Sequence, residues 1–207
     1  DAFSDAQSYD IALQREHLAL SDELDVDAVS AHSVDTDITY PWDQGSKALN
    51  ADELKRRDTW QSRFMPSGAM VAGRVDTLHW LTFGTPETLP LLYREQPALM
   101  VNGRQQAVVR VGVLKPNKDA EKARAINWST IPQGQDLNVR MSGLLWPEAA
   151  SRIANSAYVT RERVGKGQVI LFSGQPNFRG STRGVGRLWL NALVYGAGLG
   201  TSTAVKL

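Results

Sequence analysis

The sequence contains no cysteine. That single absence removes disulfides, thiolate nucleophiles and Cys-ligated zinc or iron–sulfur sites. Histidine is scarce: His17, His32 and His79 are the whole supply, which restricts zinc ligation and general-base chemistry alike. No apolar run approaches the ~20 residues that a membrane-crossing helix needs. Charge of one sign is not in excess either. Lys and Arg number 23 and Asp and Glu 22, a net charge of +1, whereas a nucleic-acid binder usually carries a basic patch or stripe. There is no internal repeat and no low-complexity segment. Asp1-Ala2-Phe3-Ser4 lacks an initiator Met and the basic and apolar parts of a signal peptide. The chain is therefore expected to be a piece of a longer polypeptide.

What is present is the composition of a globular protein: 42% hydrophobic and 22% charged over 207 residues. That length buries a real core in one large domain or two small ones, and a single domain over 1–207 is the expectation. Residues 5–21 predict a helix, 22–27 an exposed acidic stretch, and 35–50 a long loop around Tyr40-Pro41-Trp42. A second helix is expected over 52–64, with Asn50 or Asp52 at its cap. Strands are expected at 69–75, 89–93, 98–101, 106–114 and 137–145. Asn102-Gly103 serves as a hairpin signal, and a short helix follows at 148–153.

The chain is organised around its closing stretch. Residues 157–164 are strand-like, Gly165-Lys166-Gly167 is a tight turn, and 168–172 is an apolar β-branched run. A polar loop with Pro176, Gly180 and Gly184 leads into a helix over 187–195, which Gly196 and Gly198 stop. Helices and strands together predict a mixed α/β or α+β protein.

Three sets of residues carry a resemblance. The first is Val164-Gly165-Lys166-Gly167-Gln168-Val169-Ile170-Leu171-Phe172, then Pro176-Asn177-Phe178-Arg179, Thr182-Arg183-Gly184 and Leu188-Trp189-Leu190-Asn191-Ala192-Leu193. The second is Asp58-Thr59-Trp60 with Pro66-Ser67-Gly68-Ala69 and His79-Trp80-Leu81-Thr82-Phe83-Gly84, where Trp80 stands in place of a common proline. The third is Ser142-Gly143-Leu144-Leu145. Together they resemble the C-terminal domain of bacterial zinc carboxypeptidase-like proteins, a class I glutamine-amidotransferase-like domain that follows the peptidase domain. The resemblance implies a flavodoxin-like three-layer α/β sandwich, here lacking its first β-α units and including some antiparallel strands. It also implies a periplasmic or secreted setting. The implied partner is the peptidase domain of the same polypeptide, and zinc is expected only in that domain. No cofactor, nucleic acid or membrane span is expected in this chain, and a homodimer is allowed.

The residues argue against catalysis. A zinc carboxypeptidase uses His and Glu three residues apart, yet the positions after the three histidines hold Leu20, Asp35 and Thr82. An amidotransferase uses a nucleophilic Cys, and there is none. Ser173, at a strand end in Phe172-Ser173-Gly174, is the nearest approach to a nucleophile but has no assignable His. His32 with Asp35 has metal-pair spacing, against the commoner reading of an exposed titrating side chain. His79 reads as a packed or solvent-facing histidine. Asn177, Arg179 and Arg183 surround the start of the last helix and make an anion- or partner-binding candidate; the plainer reading is that Arg179 ties the loop to backbone carbonyls. Among six tryptophans, Trp60 and Trp189 read as core. Trp42, Trp80, Trp128 and Trp146 lie near turns, and Trp80 and Trp146 are candidates for contacting a ligand or partner. The function expected is thus a non-catalytic accessory domain that packs against or gates the peptidase. The alternative is a carbohydrate- or peptide-binding module using loop tryptophans.

Overall fold

The structure is a computed structural model that describes residues 50–101, 103–126 and 129–199. The expected helix over 5–21, most of the 35–50 loop, His17, His32, Trp42 and Trp128 lie outside the described residues.

The described elements are α1 (Ala51–Ser62), β1 (Ala69–Val75), β2 (Thr88–Tyr93), β3 (Gln106–Val111), β4 (Val113–Pro116), β5 (Arg124–Ile126), β6 (Ser129–Ile131), β7 (Gln135–Asn138), β8 (Arg140–Ser142), α2 (Pro147–Ile153), β9 (Ala157–Val164), β10 (Gly167–Phe172) and α3 (Arg183–Tyr195). Short 3-10 turns occupy Trp80–Thr82 and Phe178–Gly180. The protein is of mixed α/β class. The described residues fall into two compact units, one of 50–66 with 144–152, the other of 67–143 with 153–199.

In the first unit, α1 starts at a capping box. The Asn50 side chain accepts from the Glu53 N–H at 2.9 Å, and the Glu53 carboxylate accepts from the Asn50 N–H at 2.8 Å. Two of the donors a helix start leaves unpaired are thereby satisfied. The Phe64 ring sits 5.3 Å from that of Trp60 and 5.8 Å from that of Trp146. Arg152 grips Asp58 with Nε at 2.8 Å and a second nitrogen at 3.3 Å. Because the Asp58 side chain is 43% exposed, this fork contributes no more than ~1 kcal/mol.

The second unit is built on an antiparallel sheet in the order β10-β9-β3-β1-β2, with β8 also on β1. β3 and β8 share one edge of β1, pairing at Gly73–Val75 and at Met70–Val71 respectively. The core is aliphatic and aromatic: Val71, Leu91, Tyr93, Val108, Val109, Val111, Tyr158 and Val159 are almost wholly buried. The β9–β10 hairpin matches the sequence expectation. Its two-residue loop places Gly165 at φ +59°, the first central position that a type II′ turn reserves for glycine.

Four expectations are corrected. The run 106–114 is not one strand: Gly112, at φ +95°, breaks it into β3 and β4, and β4 leaves to pair with β7. The run 137–145 divides between β7 and β8 in different sheets and stops at Gly143, φ +80°. Residues 98–101 form no hairpin with β3, because β1 and β9 already occupy both edges of β3; only Leu99 bridges, to Ala157. The last helix begins at Arg183, four residues earlier than expected. Every strand pair among the described residues is antiparallel, whereas a flavodoxin-like sheet is built on parallel strands.

Helix α3 packs on this sheet through Val185, Leu188 and Asn191, which are buried at i, i+3 and i+6. Asn191 donates through Nδ2 to the Leu81 and Phe83 carbonyls at 2.8 and 2.9 Å, fastening the helix to the 3-10 turn. At its far end, the Gln168 amide of β10 donates to the Gly196 and Leu199 carbonyls at 2.5 and 2.8 Å.

Candidate functional site

A pocket of about 520 Å³ lies where the loops following β2 and β10 meet. Those strands are at opposite ends of the sheet order, so their loops share a pocket only because the sheet curls. Leu92, Phe172 and Phe178 give it apolar walls; Arg94, Glu95, Gln96 and Ser173 give it polar ones.

The first loop is tightly specified. Gln96 Oε1 accepts from the Arg94 N–H at 2.6 Å and its Nε2 donates to the Leu92 carbonyl at 3.0 Å. Between them Glu95 is forced to φ +53°, a left-handed conformation that costs a non-glycine residue about 1 kcal/mol or more. Its carboxylate is exposed and makes no ion pair among the described residues. The Arg94 guanidinium lies over the Phe178 ring, 4.8 Å from its centre, and Nε donates to the Ser67 carbonyl at 3.3 Å. Its two terminal nitrogens have no partner among the described residues. From the second loop, the Ser173 N–H donates to the Tyr158 carbonyl at 2.8 Å. Ser173 Oγ is sealed from solvent with no hydrogen bond among the described residues. Gly174 passes so close to Gln96 and the Tyr158 hydroxyl that a side chain there would strike both. Burial pushes that Tyr158 hydroxyl up to about 12.

The residues singled out by sequence are scattered. Arg179 is beside this pocket, exposed, at φ +49°, with its guanidinium 5.3 Å from the centre of the same Phe178 ring. It lies over an aromatic face and makes no tie to backbone carbonyls among the described residues. Asn177 is exposed and forms no cap bond; Arg183 is exposed at the first turn of α3. Trp80 is half-buried against His79, ring centres 5.6 Å apart, and Trp146 belongs to the first unit. Neither tryptophan lines the pocket. Arg94, Glu95 and Gln96 were missed because a polar triplet between a strand and Pro97 reads as a simple turn.

His79 is not a catalytic base for Ser173. Its Nδ1 accepts from the Leu81 N–H at 3.1 Å, capping the 3-10 turn, and its side chain also bonds Gln106. Burial holds its pKa below the ordinary value of 6.5, with Arg161 acting the same way against Gln106 and Asp76. The unfolded chain therefore binds this proton more readily. The stability contributed by neutral His79 is complete above about 6.5 and is lost as pH falls from there towards the lower folded-state value. His79→Asn, which keeps an acceptor for the cap, is expected to flatten that part of the melting-temperature profile. Identical pH slopes for variant and parent would show that His79 carries no such linkage.

A second feature is the outer side of α3. Trp189, Leu190, Leu193 and Val194 follow i, i+1, i+4, i+5 spacing and are 37, 44, 60 and 61% exposed. Trp189 is thus not core, contrary to the sequence reading: the buried face of α3 passes through Leu188 and Asn191. A helix apolar on both sides is ordinarily buried on both. Among the described residues no group of three or more His, Asp and Glu side chains could hold a metal, and no helix is long and apolar enough to cross a membrane.

No protein-family model, curated protein or solved structure matches the chain.

Proposed function

We propose that this chain is a non-catalytic accessory domain of a secreted or periplasmic zinc carboxypeptidase-like protein, and that the outer side of α3 docks against the peptidase domain. The observation that carries this reading is the exposed row Trp189, Leu190, Leu193 and Val194 on a helix already anchored from its other side. Exposed apolar patches on soluble proteins mark interaction sites more often than chance. The docked residues include a large aromatic, the type that dominates interface energetics. The closing order of strand, turn, strand, loop and helix supports the amidotransferase-like part of the proposal. The antiparallel pairing confines that support to the closing unit. Zinc, in this reading, belongs to the peptidase domain.

The test is association between this chain and the separately expressed peptidase portion of the same polypeptide. Leu193→Glu is expected to weaken binding at least tenfold, the loss of one interface anchor, while leaving the melting temperature of the isolated chain unchanged. Failure to associate, or association indifferent to Leu193→Glu, would remove this docking surface. The alternative, a module that holds sugar or peptide on loop tryptophans, predicts instead that Trp80→Ala abolishes ligand binding.

A further inference from the structure

We propose that the pocket between the β2 and β10 loops binds a small zwitterion, a free α-amino acid or dipeptide with an apolar side chain. This goes beyond the docking reading and does not depend on it, since Leu193 and Trp189 do not line the pocket.

The pocket places opposite charges on adjacent residues. Arg94 contributes a guanidinium whose terminal nitrogens are unpaired among the described residues, held over Phe178 by a cation–π contact at 4.8 Å from the ring centre. A guanidinium fixed at one face and one nitrogen keeps its remaining donors as a planar fork, the geometry that suits a carboxylate. Glu95 contributes a carboxylate with no ion pair among the described residues, on backbone at φ +53° beside the Gln96 side chain, which turns back to bond the Arg94 N–H and the Leu92 carbonyl. Strained backbone of this kind concentrates at ligand sites. Had the two residues served only solubility, neither the aromatic stacking nor the left-handed backbone would be needed.

The remaining walls select what joins the two charges. Leu92, Phe172 and Phe178 line the same space, so an apolar side chain is accommodated and a sugar hydroxyl array is poorly matched. A volume of about 520 Å³ falls within the range of small-molecule pockets and fits one or two residues. Arg179, on the same Phe178 ring, adds a second positive charge near the mouth, which favours the carboxylate end.

Titration of the 207-residue chain with L-phenylalanine, N-acetyl-L-phenylalanine, L-phenylalaninamide and acetate, followed by NMR shifts or calorimetry, tests this. L-Phenylalanine is expected to bind, and blocking either end is expected to weaken binding about tenfold, the scale of one charge-assisted hydrogen bond. Arg94→Gln should weaken L-phenylalanine and its N-acetyl form while leaving the amide where it was. Glu95→Gln should weaken L-phenylalanine and the amide while leaving the N-acetyl form unchanged. Both residues are exposed, so folded variants are expected, and a melting curve checks that they are. Absence of binding by every probe overturns the proposal. So does acetate binding as well as the amino acid, or blocked and free forms binding alike.

Discussion

Gly112→Val is expected to destabilise the protein by roughly 2–5 kcal/mol, the sum of backbone strain and overpacking. Gly112 holds φ +95°, and a Cβ there would meet the Leu137 side chain at 2.7 Å. Its N–H donates to the Ala72 carbonyl at 2.7 Å, so the backbone cannot swing to relieve the clash without breaking that bond. For a chain of this size the loss corresponds to a fall of about 5–15 °C in melting temperature. Gly134 supplies the contrast. It is also left-handed, at φ +73°, yet nothing lies within 4 Å of where its Cβ would be. Gly134→Ala should therefore cost only the strain, about 1 kcal/mol. Equal melting temperatures for the two variants would refute the assignment of Leu137 as the obstacle.

Leu188→Ala is expected to cost about 2–5 kcal/mol, because the lost methyl groups leave a cavity under α3. Leu188 is completely buried. Leu193, five residues later, is 60% exposed, and Leu193→Ala should fall within about 0.5 kcal/mol of the parent, as exposed substitutions do. Urea unfolding of the pair separates the two sides of one helix. A Leu193→Ala loss as large as that of Leu188→Ala would mean that the outer side is packed and has no face to offer.

The parts of the fold that were legible in the sequence are those set by local chemistry. The β9–β10 hairpin follows from a strand-like run, a glycine at the turn and a β-branched run. Helix α1 follows from a cap at Asn50 ahead of a run with apolar Leu54, Trp60 and Phe64, and the structure closes that cap with Glu53. What the sequence left open depended on partners distant along the chain. The break at Gly112 interrupts a run, 106–114, that is β-prone on both sides of it, and only the packing of Leu137 and the pairing to β7 make the left-handed turn necessary. The direction of the strands has no local signature, so the resemblance supplied a parallel sheet that the described pairings do not form. The faces of α3 were ambiguous for a similar reason. Trp189 and Leu188 are equally apolar, and Asn191, bonded to two carbonyls of the 3-10 turn, shows which side is anchored. The pocket was hidden because Arg94, Glu95 and Gln96 meet Phe178 only through the curl of the sheet.

The docking proposed for α3 requires that its outer side be covered whenever the proposed peptidase domain is present. Hydrogen–deuterium exchange measures it directly, comparing residues 183–195 in the 207-residue chain with the same residues in the full-length protein. The account predicts slower exchange along Trp189–Tyr195 in the full-length protein, with β1 and β3 unchanged. Identical exchange of that helix in both would contradict it.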